Sequence, residues 1–214
     1  MTSEERREQR YQRRKAARLK KRQETIGKYD DFERVASLNS LYEAAREASK
    51  GVDWKASVQR YNSLLLFNIS KTRAELLAGK DIRRGFICFD ICERGKLRHI
   101  KSVHFSERVV QKSFCTNIIY PTFTRSLIYD NGASQQGEGT QFATNRLTTH
   151  LRRHFRKYGR EGGILLIDFS DYFGNVAHEP LFEIYRQIFT DPRVIALGMS
   201  FISAFGDKGL GLGS

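Results

Sequence analysis

Apolar residues recur every three or four positions along most of this chain, a spacing typical of amphipathic helices. The first such segment spans 31–49, and Gly51 marks its end. Asp53 then suits the N-cap of a second helix. That helix carries an apolar stripe that we expect in the core: Trp54, Val58, Tyr61 and Leu65. The same spacing predicts further helices at about 106–119, 140–158, 181–188 and 192–204.

Three segments have the pattern of strands instead. Residues 84–92 and 97–105 are two short strands around a turn that contains Gly95, which predicts an antiparallel hairpin. Farther along, the unbroken apolar run 164–167 predicts a strand buried on both faces. This run ends at Asp168.

A carboxylate is costly to bury unless a cation compensates its charge. Asp168 at the end of an apolar strand therefore either pairs with a cation or binds a metal. Hard divalent cations such as Mg²⁺ prefer oxygen ligands and often share them with phosphate substrates. The alternative is an aspartate that ends the strand and starts a turn.

The charge of the chain indicates a polyanionic partner. Its 214 residues, enough for one or two domains, carry 37 Lys+Arg against 24 Asp+Glu, a formal net charge of +13. Nucleic acid is the simplest such partner, and an acidic membrane surface is the competing one. No apolar run approaches the roughly 20 residues of a transmembrane helix, so we expect no membrane span. The charged first ten residues also lack the apolar segment of a secretory signal.

The three cysteines are Cys88, Cys92 and Cys115. So few, and an odd number, favour a reducing compartment and therefore the cytoplasm. We expect buried thiols at Cys88 and Cys92, because two further zinc ligands are not apparent.

Residues 1–27 are dominated by arginine and lysine and form either a solvated helix or a disordered arm. Such an arm would bind phosphates without reading sequence, or it would only improve solubility. A neighbouring acidic pair, Asp30 and Asp31, is expected to provide an N-cap and a solvent-facing side chain.

Four motifs occur in order in the remaining chain. The first joins GKLRHI at 95–100 to FSERVVQ at 105–111, and the second joins NGA at 131–133 to GEGTQFA at 137–143. The third is DFSDYF at 168–173, with His178 five residues later, and the fourth is GLGLGS at 209–214. Together they resemble the fingers and upper palm of reverse transcriptases from bacterial retroelements: group II introns, diversity-generating elements and phage-defence enzymes. The resemblance covers about residues 80–214. In the fourth motif Gly211 and Leu212 replace the family's Pro and Gln, so the role of that glutamine is not carried over.

The resemblance implies an α/β fold of the α+β kind. We expect helix-rich fingers with a small antiparallel hairpin, plus part of a polymerase palm sheet. The corresponding division is a basic arm at 1–27, a helical and fingers region at 28–160, and a partial palm at 161–214. The partners implied are an RNA template, a DNA or RNA primer, and deoxynucleotide triphosphates.

The resemblance also assigns the site. Asp168 would be the catalytic carboxylate that bridges two Mg²⁺ ions, which stabilise the attacking and leaving oxygens of phosphoryl transfer. The backbone groups of Phe169 and Ser170 would face the metal and the triphosphate. Asp171 would help seat the triphosphate or else cap its own turn. Phe173 would pack under the sugar and reject a 2′ hydroxyl, or else belong to the core.

Basic side chains complete the expected site. Lys96 and Arg98 would close on the triphosphate, or they are solvated hairpin charges. Arg108 and Gln111 would brace the fingers or contact the template. Arg146 and Arg153, on the basic helix, would contact nucleic acid. His178 is expected only to start a helix.

The second metal-binding carboxylate of such a polymerase, in a Tyr-x-Asp-Asp hairpin, is not found in these residues. We therefore expect a truncated reading frame, a fragment or a split protein that does not polymerise by itself. The alternative function is a non-catalytic RNA-binding module derived from a reverse transcriptase. A third reading is an unrelated basic α/β nucleic-acid-binding protein.

Overall fold

The computed structural model describes residues 2–93 and 95–211, without the side chains of Arg22 and Lys96. Its elements up to the hairpin are α1 (Ser3–Tyr29), α2 (Phe32–Val35), α3 (Leu38–Ser49), α4 (Ala56–Ser63), α5 (Leu65–Leu77), β1 (Phe86–Glu93) and β2 (Lys96–Val103). After the hairpin come α6 (Phe105–Phe114), a π-helical turn (Cys115–Ile119), α7 (Tyr120–Phe123), a 3₁₀ turn (Thr124–Ser126), α8 (Thr140–Tyr158), α9 (Tyr172–Asn175), α10 (His178–Ile188) and α11 (Pro192–Ser203). The prediction of a helix-rich α+β fold with a small antiparallel hairpin is confirmed.

The chain divides into two compact units. Unit 1 comprises Met1–Thr122 and Asp171–Ser214, and unit 2 comprises Phe123–Ser170. The core of unit 1 lies where α3, α5 and α6 pack together. Its fully buried side chains include Val35, Leu41, Ile69, Val109 and Val110.

The helices before the hairpin differ in detail from the prediction. Segment 31–49 forms two helices, because the Ser37 hydroxyl accepts from the Ser40 N–H and starts α3. The next helix starts after Lys55 rather than at Asp53, so Trp54 falls in the preceding turn and is 71% exposed. Val58 and Tyr61 are buried as predicted, whereas the placement of Trp54 in the core was wrong.

Residues 3–29, which include the basic segment, form one helix, α1. A capping box starts it: the Thr2 hydroxyl accepts from the Glu5 N–H, and the Glu5 carboxylate accepts from the Thr2 N–H. Every residue from Thr2 to Glu24 whose burial is described is exposed. Of the two interpretations of this segment, the structure shows the solvated helix.

The hairpin has the predicted position to within two residues, with β1 and β2 in register from Phe86–Val103 to Glu93–Lys96. Cys88 and Cys92 are exposed, so the prediction of buried thiols was wrong. A sheet of two strands offers little area for burial, which leaves even Ile87 and Phe89 about half exposed.

The strand predicted at the run 164–167 does not form. These residues form neither a helix nor a strand and join no ladder within the described residues, and Leu166 is 90% exposed. A strand is stabilised by hydrogen bonds to a neighbouring strand, and the described part of unit 2 contains none. The expectation of burial on both faces is therefore wrong for this structure.

The later helices match the sequence pattern closely. In unit 2, α8 has the predicted bounds, 140–158. In unit 1, α10 begins three residues before the predicted 181–188, and α11 follows the predicted 192–204 to within one residue. The Asp191 carboxylate accepts from the Arg193 N–H, which caps α11.

Candidate functional site

Asp168, the predicted catalytic carboxylate, lies in the segment without helix or strand that ends unit 2. Its side chain is exposed and forms no hydrogen bond or ion pair with another described residue. Ser170 and Phe169 are exposed beside it, the latter at 69%. The carboxylate is therefore accessible to a ligand from solvent.

Asp171 begins the second chain segment of unit 1 and has a left-handed backbone, φ 47° and ψ 46°. Few side chains tolerate this conformation, and aspartate is among those that do. Its carboxylate folds over Gly174, where a side-chain carbon would collide with it, but it accepts no capping hydrogen bond from α9. The backbone carbonyl of Asp171 accepts from the Asn175 amide at 3.1 Å. The turn thus holds the acid beside α9 without engaging it as a helix cap.

The end of the third motif pairs with the fourth motif. The Leu210 N–H donates to the Phe173 carbonyl at 2.8 Å, and the Gly209 N–H donates to the Val176 carbonyl at 2.8 Å. Gly209 has φ +90°, and a Cβ there would lie 3.1 Å from the Gly174 carbonyl oxygen. A glycine is therefore required at this junction on two grounds.

Phe173 is 42% exposed beside this junction, with its ring against that of Tyr172 at 5.4 Å. It does not belong to the buried core. Its backbone is fixed by Leu210 while its ring stays accessible.

His178 has a role that the sequence did not reveal. It is 4% exposed, and its Nε2–H donates to the Gly209 carbonyl at 2.6 Å. The histidine therefore holds the glycine-rich segment against the start of α10. No sequence pattern links two residues 31 positions apart, so only the fold could identify this contact.

Two basic side chains of the hairpin, Arg98 and His99, contact carboxylates of the same hairpin. Arg98 Nε lies 3.3 Å from a Glu93 oxygen, and the side chain is 40% exposed. Across the strands, His99 Nδ1 and an Asp90 oxygen are 2.6 Å apart. Lys96 begins β2, but its side chain lies outside the described part of the chain. Surface pairs of this kind are weak, so Arg98 can exchange Glu93 for another anion.

Arg108 and Gln111 line one cavity of about 270 Å³ in unit 1. Lys101 and Lys112 add two cations to its wall, and Gly211 of the fourth motif closes another side. Arg108 donates to the Ser102 hydroxyl at 3.4 Å. No carboxylate in the described chain forms an ion pair with these three cations. The cavity can therefore accept an anion.

Two glutamates in this region have pKa values shifted in opposite directions. Glu107 is 2% exposed, and burial raises the pKa of its carboxyl group. It accepts from the Gln111 amide at 3.2 Å and from the Arg84 N–H at 3.4 Å. At the cavity wall, an ion pair with Lys50 lowers the pKa of Glu47. Gln111 is thus positioned by a buried acid on the adjacent turn of α6.

In unit 2, Arg146 on α8 forms an ion pair with a carboxylate of the loop that precedes this helix. Asp130 forms an ion pair with Arg146 and accepts a hydrogen bond from His150 Nε2 at 2.7 Å. Both partners lower the pKa of the Asp130 carboxyl group. The Arg146 guanidinium also lies 4.7 Å from the Tyr129 ring centroid. The i, i+4 spacing of Arg146 and His150 was the only sequence signal for this cluster. Arg153 is exposed and has no ion-pair partner among the described residues, so it is the more available of the two predicted contacts.

The described residues do not complete a two-metal centre. They contain no group of three or more His, Cys, Asp or Glu side chains that could hold a metal ion. Asp168 thus offers a single carboxylate, whereas two Mg²⁺ ions need several oxygen ligands. The same residues contain no helix long and apolar enough to cross a membrane.

A scan against models of known protein families found no match, and a search of curated proteins also found none. The function must therefore be inferred from the four motifs and from the contacts between their residues.

Proposed function

We propose that this chain is the N-terminal portion of an RNA-directed DNA polymerase of the reverse transcriptase class. In the complete enzyme it would add deoxynucleotides to a DNA or RNA primer on an RNA template, by two-metal phosphoryl transfer. Asp168 would provide one metal ligand, together with the Phe169 backbone. The second carboxylate would come from outside the described residues, so this chain by itself would not polymerise.

The pairing of the third and fourth motifs is the observation that carries the proposal. Leu210 and Gly209 bind the backbone of Phe173 and Val176, and His178 adds a third contact. Two segments that a polymerase would need around one nucleotide are therefore adjacent, although 36 positions separate Phe173 and Gly209. The ring of Phe173 stays accessible for a sugar.

The distribution of charge also supports a nucleotide and nucleic-acid partner. Arg98, with Lys96, is proposed to contact the triphosphate, and Ser170 and Asp171 are proposed to help seat it. Arg108 and Gln111 are proposed to contact the template from the cationic cavity, whose three basic side chains favour phosphate oxygens. Arg153 would contact nucleic acid outside this cavity. Arg146 would do so as well if it exchanged Asp130 for a phosphate group. A cytoplasmic location would suit the exposed thiols.

Nucleotide selection by the complete enzyme tests the proposed role of Phe173. Smaller side chains at this position are expected to admit a 2′ hydroxyl. Primer extension on an RNA template, by the reading frame continued by about a hundred residues, should show Phe173→Ala using ribonucleotides about 10- to 200-fold better relative to deoxynucleotides. Tyr172→Ala, which removes the neighbouring ring, is the matched control. Unchanged sugar selection in Phe173→Ala would reject the proposed role.

The alternative function is a non-catalytic RNA-binding module derived from such an enzyme. The exposed basic helix α1 and the accessible Arg153 favour it independently of Asp168. A natural stop codon after Ser214, together with RNA binding that falls steeply with salt, would support the module. A downstream Tyr-x-Asp-Asp and primer extension would support the enzyme.

A further inference from the structure

Helix α1 is 27 residues long. In its first six turns, every residue whose burial is described is exposed. A helix that packs against nothing derives little stability from tertiary contacts, and one that is polar on all sides is marginal in water. Between Arg10 and Lys21 it contains no acidic residue. Like charges four residues apart, such as Arg10 with Arg14 and Arg14 with Arg18, destabilise it further. A polyanion would relieve this repulsion.

Some of the basic side chains of α1 share one groove with an aromatic ring. Arg7, Tyr11, Arg14 and Arg18 recur at intervals of three or four residues and line one groove along the helix. Arg10, Lys15 and Leu19 border the same groove. The Tyr11 ring is 57% exposed. No described carboxylate pairs with Arg7, Arg14 or Arg18, so their charges are available to a ligand.

The other end of α1 is fixed to the core of unit 1. Asp30, directly after the helix, accepts hydrogen bonds from the Thr190 N–H at 2.5 Å, the Thr190 hydroxyl at 2.7 Å and the Asp191 N–H at 3.0 Å. The Arg34 guanidinium lies 5.9 Å from the centroid of the Tyr29 ring. A ligand bound to the groove would therefore be attached to the folded unit rather than to a loose tail.

We propose that α1 is a separate single-stranded nucleic-acid-binding arm, in which Arg7, Arg14 and Arg18 bind backbone phosphates and Tyr11 stacks on an unpaired base. Aromatic rings among arginines are the usual means of holding single strands without sequence preference. An acidic membrane fits the helix less well, because its exposed segment offers only Tyr11 and Leu19 as large apolar anchors. The inference goes beyond polymerase chemistry and holds for either function proposed above.

The arginine stripe can be tested against a matched stripe on the same helix. The full chain is compared as R7Q/R14Q/R18Q and as R6Q/R13Q/K20Q. Both triple variants lose three charges, but the second set lies roughly 120° around the helix and outside the groove. Fluorescence anisotropy with labelled oligouridine is measured at about 50 and about 200 mM salt. We expect the first variant to bind at least tenfold more weakly than the second, with its salt slope reduced by about 2. Equal losses would reduce the site to general charge attraction and overturn the proposal.

Tyr11 separates stacking from charge. Tyr11→Ala should weaken oligouridine binding by about 5- to 150-fold, whereas Tyr11→Phe, which keeps the ring, should stay within about twofold of the wild type. Circular dichroism confirms that each variant keeps its helix. Binding of an RNA duplex as tightly as the single strand would contradict the stacked base. Binding of phosphatidylserine vesicles in place of oligouridine would assign the arm to membranes and overturn the proposal. Because every readout is binding, failure here leaves the polymerase proposal standing.

Discussion

At the scale of single residues, the junction of the third and fourth motifs depends on groups that no sequence pattern links. Gly209 permits a left-handed turn and a close approach to the Gly174 carbonyl, and His178 binds the Gly209 carbonyl. Backbone hydrogen bonds from Leu210 and Gly209 also hold the Phe173 and Val176 carbonyls. The accessibility of that ring therefore rests on small, precise backbone contacts rather than on core packing.

Gly209→Ala should destabilise unit 1. The added Cβ would be strained at φ +90° and would press on carbonyl oxygens at 3.1 and 3.3 Å. We expect a loss of about 1–3 kcal/mol in the free energy of unfolding, measured by urea denaturation. Gly27→Ala is the control, because it lies within α1 with nothing near its Cβ, and it should be neutral or stabilising by up to about 1 kcal/mol. Equal stabilities of the two variants would contradict the requirement for glycine at position 209.

Glu107→Gln should change the pH dependence of stability. Because burial raises the pKa of Glu107 in the folded protein, its ionisation costs stability as the pH rises above the ordinary glutamate value. The variant should therefore gain stability relative to the wild type between about pH 5 and pH 8. Glu47→Gln is the control. Because the pKa of Glu47 is lowered in the folded protein, its ionisation affects stability only below the ordinary glutamate pKa. The stability difference between Glu47→Gln and the wild type should therefore stay constant over that pH range. Urea denaturation at both pH values measures this, and a flat difference for Glu107→Gln would refute it.

At the scale of elements, hydrophobic periodicity predicted α8 and α11 well because each helix is stabilised mainly by local bonds. It failed where an element depends on distant partners. The apolar run before Asp168 has the apolar pattern of a strand, yet the described part of unit 2 contains no strand that could accept its hydrogen bonds. The candidate site shows the same limit: its motifs were visible in sequence, but the pairing of Phe173 with Leu210 was not.

An exposed apolar segment with the composition of a strand can pair with a copy of itself and so promote association. We expect the chain to self-associate with rising concentration, and Leu166→Lys to reduce this association without lowering the midpoint of thermal unfolding. Leu66→Lys is the matched control, because Leu66 is also largely exposed but lies on helix α5. Light scattering over a concentration series measures the effect. Similar behaviour of the two variants would show that the exposed apolar segment 164–167 has no special role in association.

At the scale of the whole molecule, the charge of +13 and the separate basic surfaces give one consistent account. Each of three surfaces presents cations that form no ion pair with a described carboxylate: Arg7, Arg14 and Arg18 on α1, Arg108 in the cavity, and the exposed Arg153. Composition alone predicted a polyanionic partner, since net charge sums over the chain. Composition could not show that Arg146 is occupied by Asp130, because that pairing needs the loop and α8 to meet.

The central claim is that Asp168 serves RNA-templated DNA synthesis. The most direct measurement is Mg²⁺-dependent primer extension on an RNA template by the reading frame continued past Ser214, comparing wild type, Asp168→Asn and the control Asp207→Asn. We predict extension by the wild type and by Asp207→Asn, a loss of at least about a thousandfold in Asp168→Asn, and no extension by the 214-residue chain alone. Undiminished extension by Asp168→Asn, or robust extension by the 214-residue chain, would contradict the account.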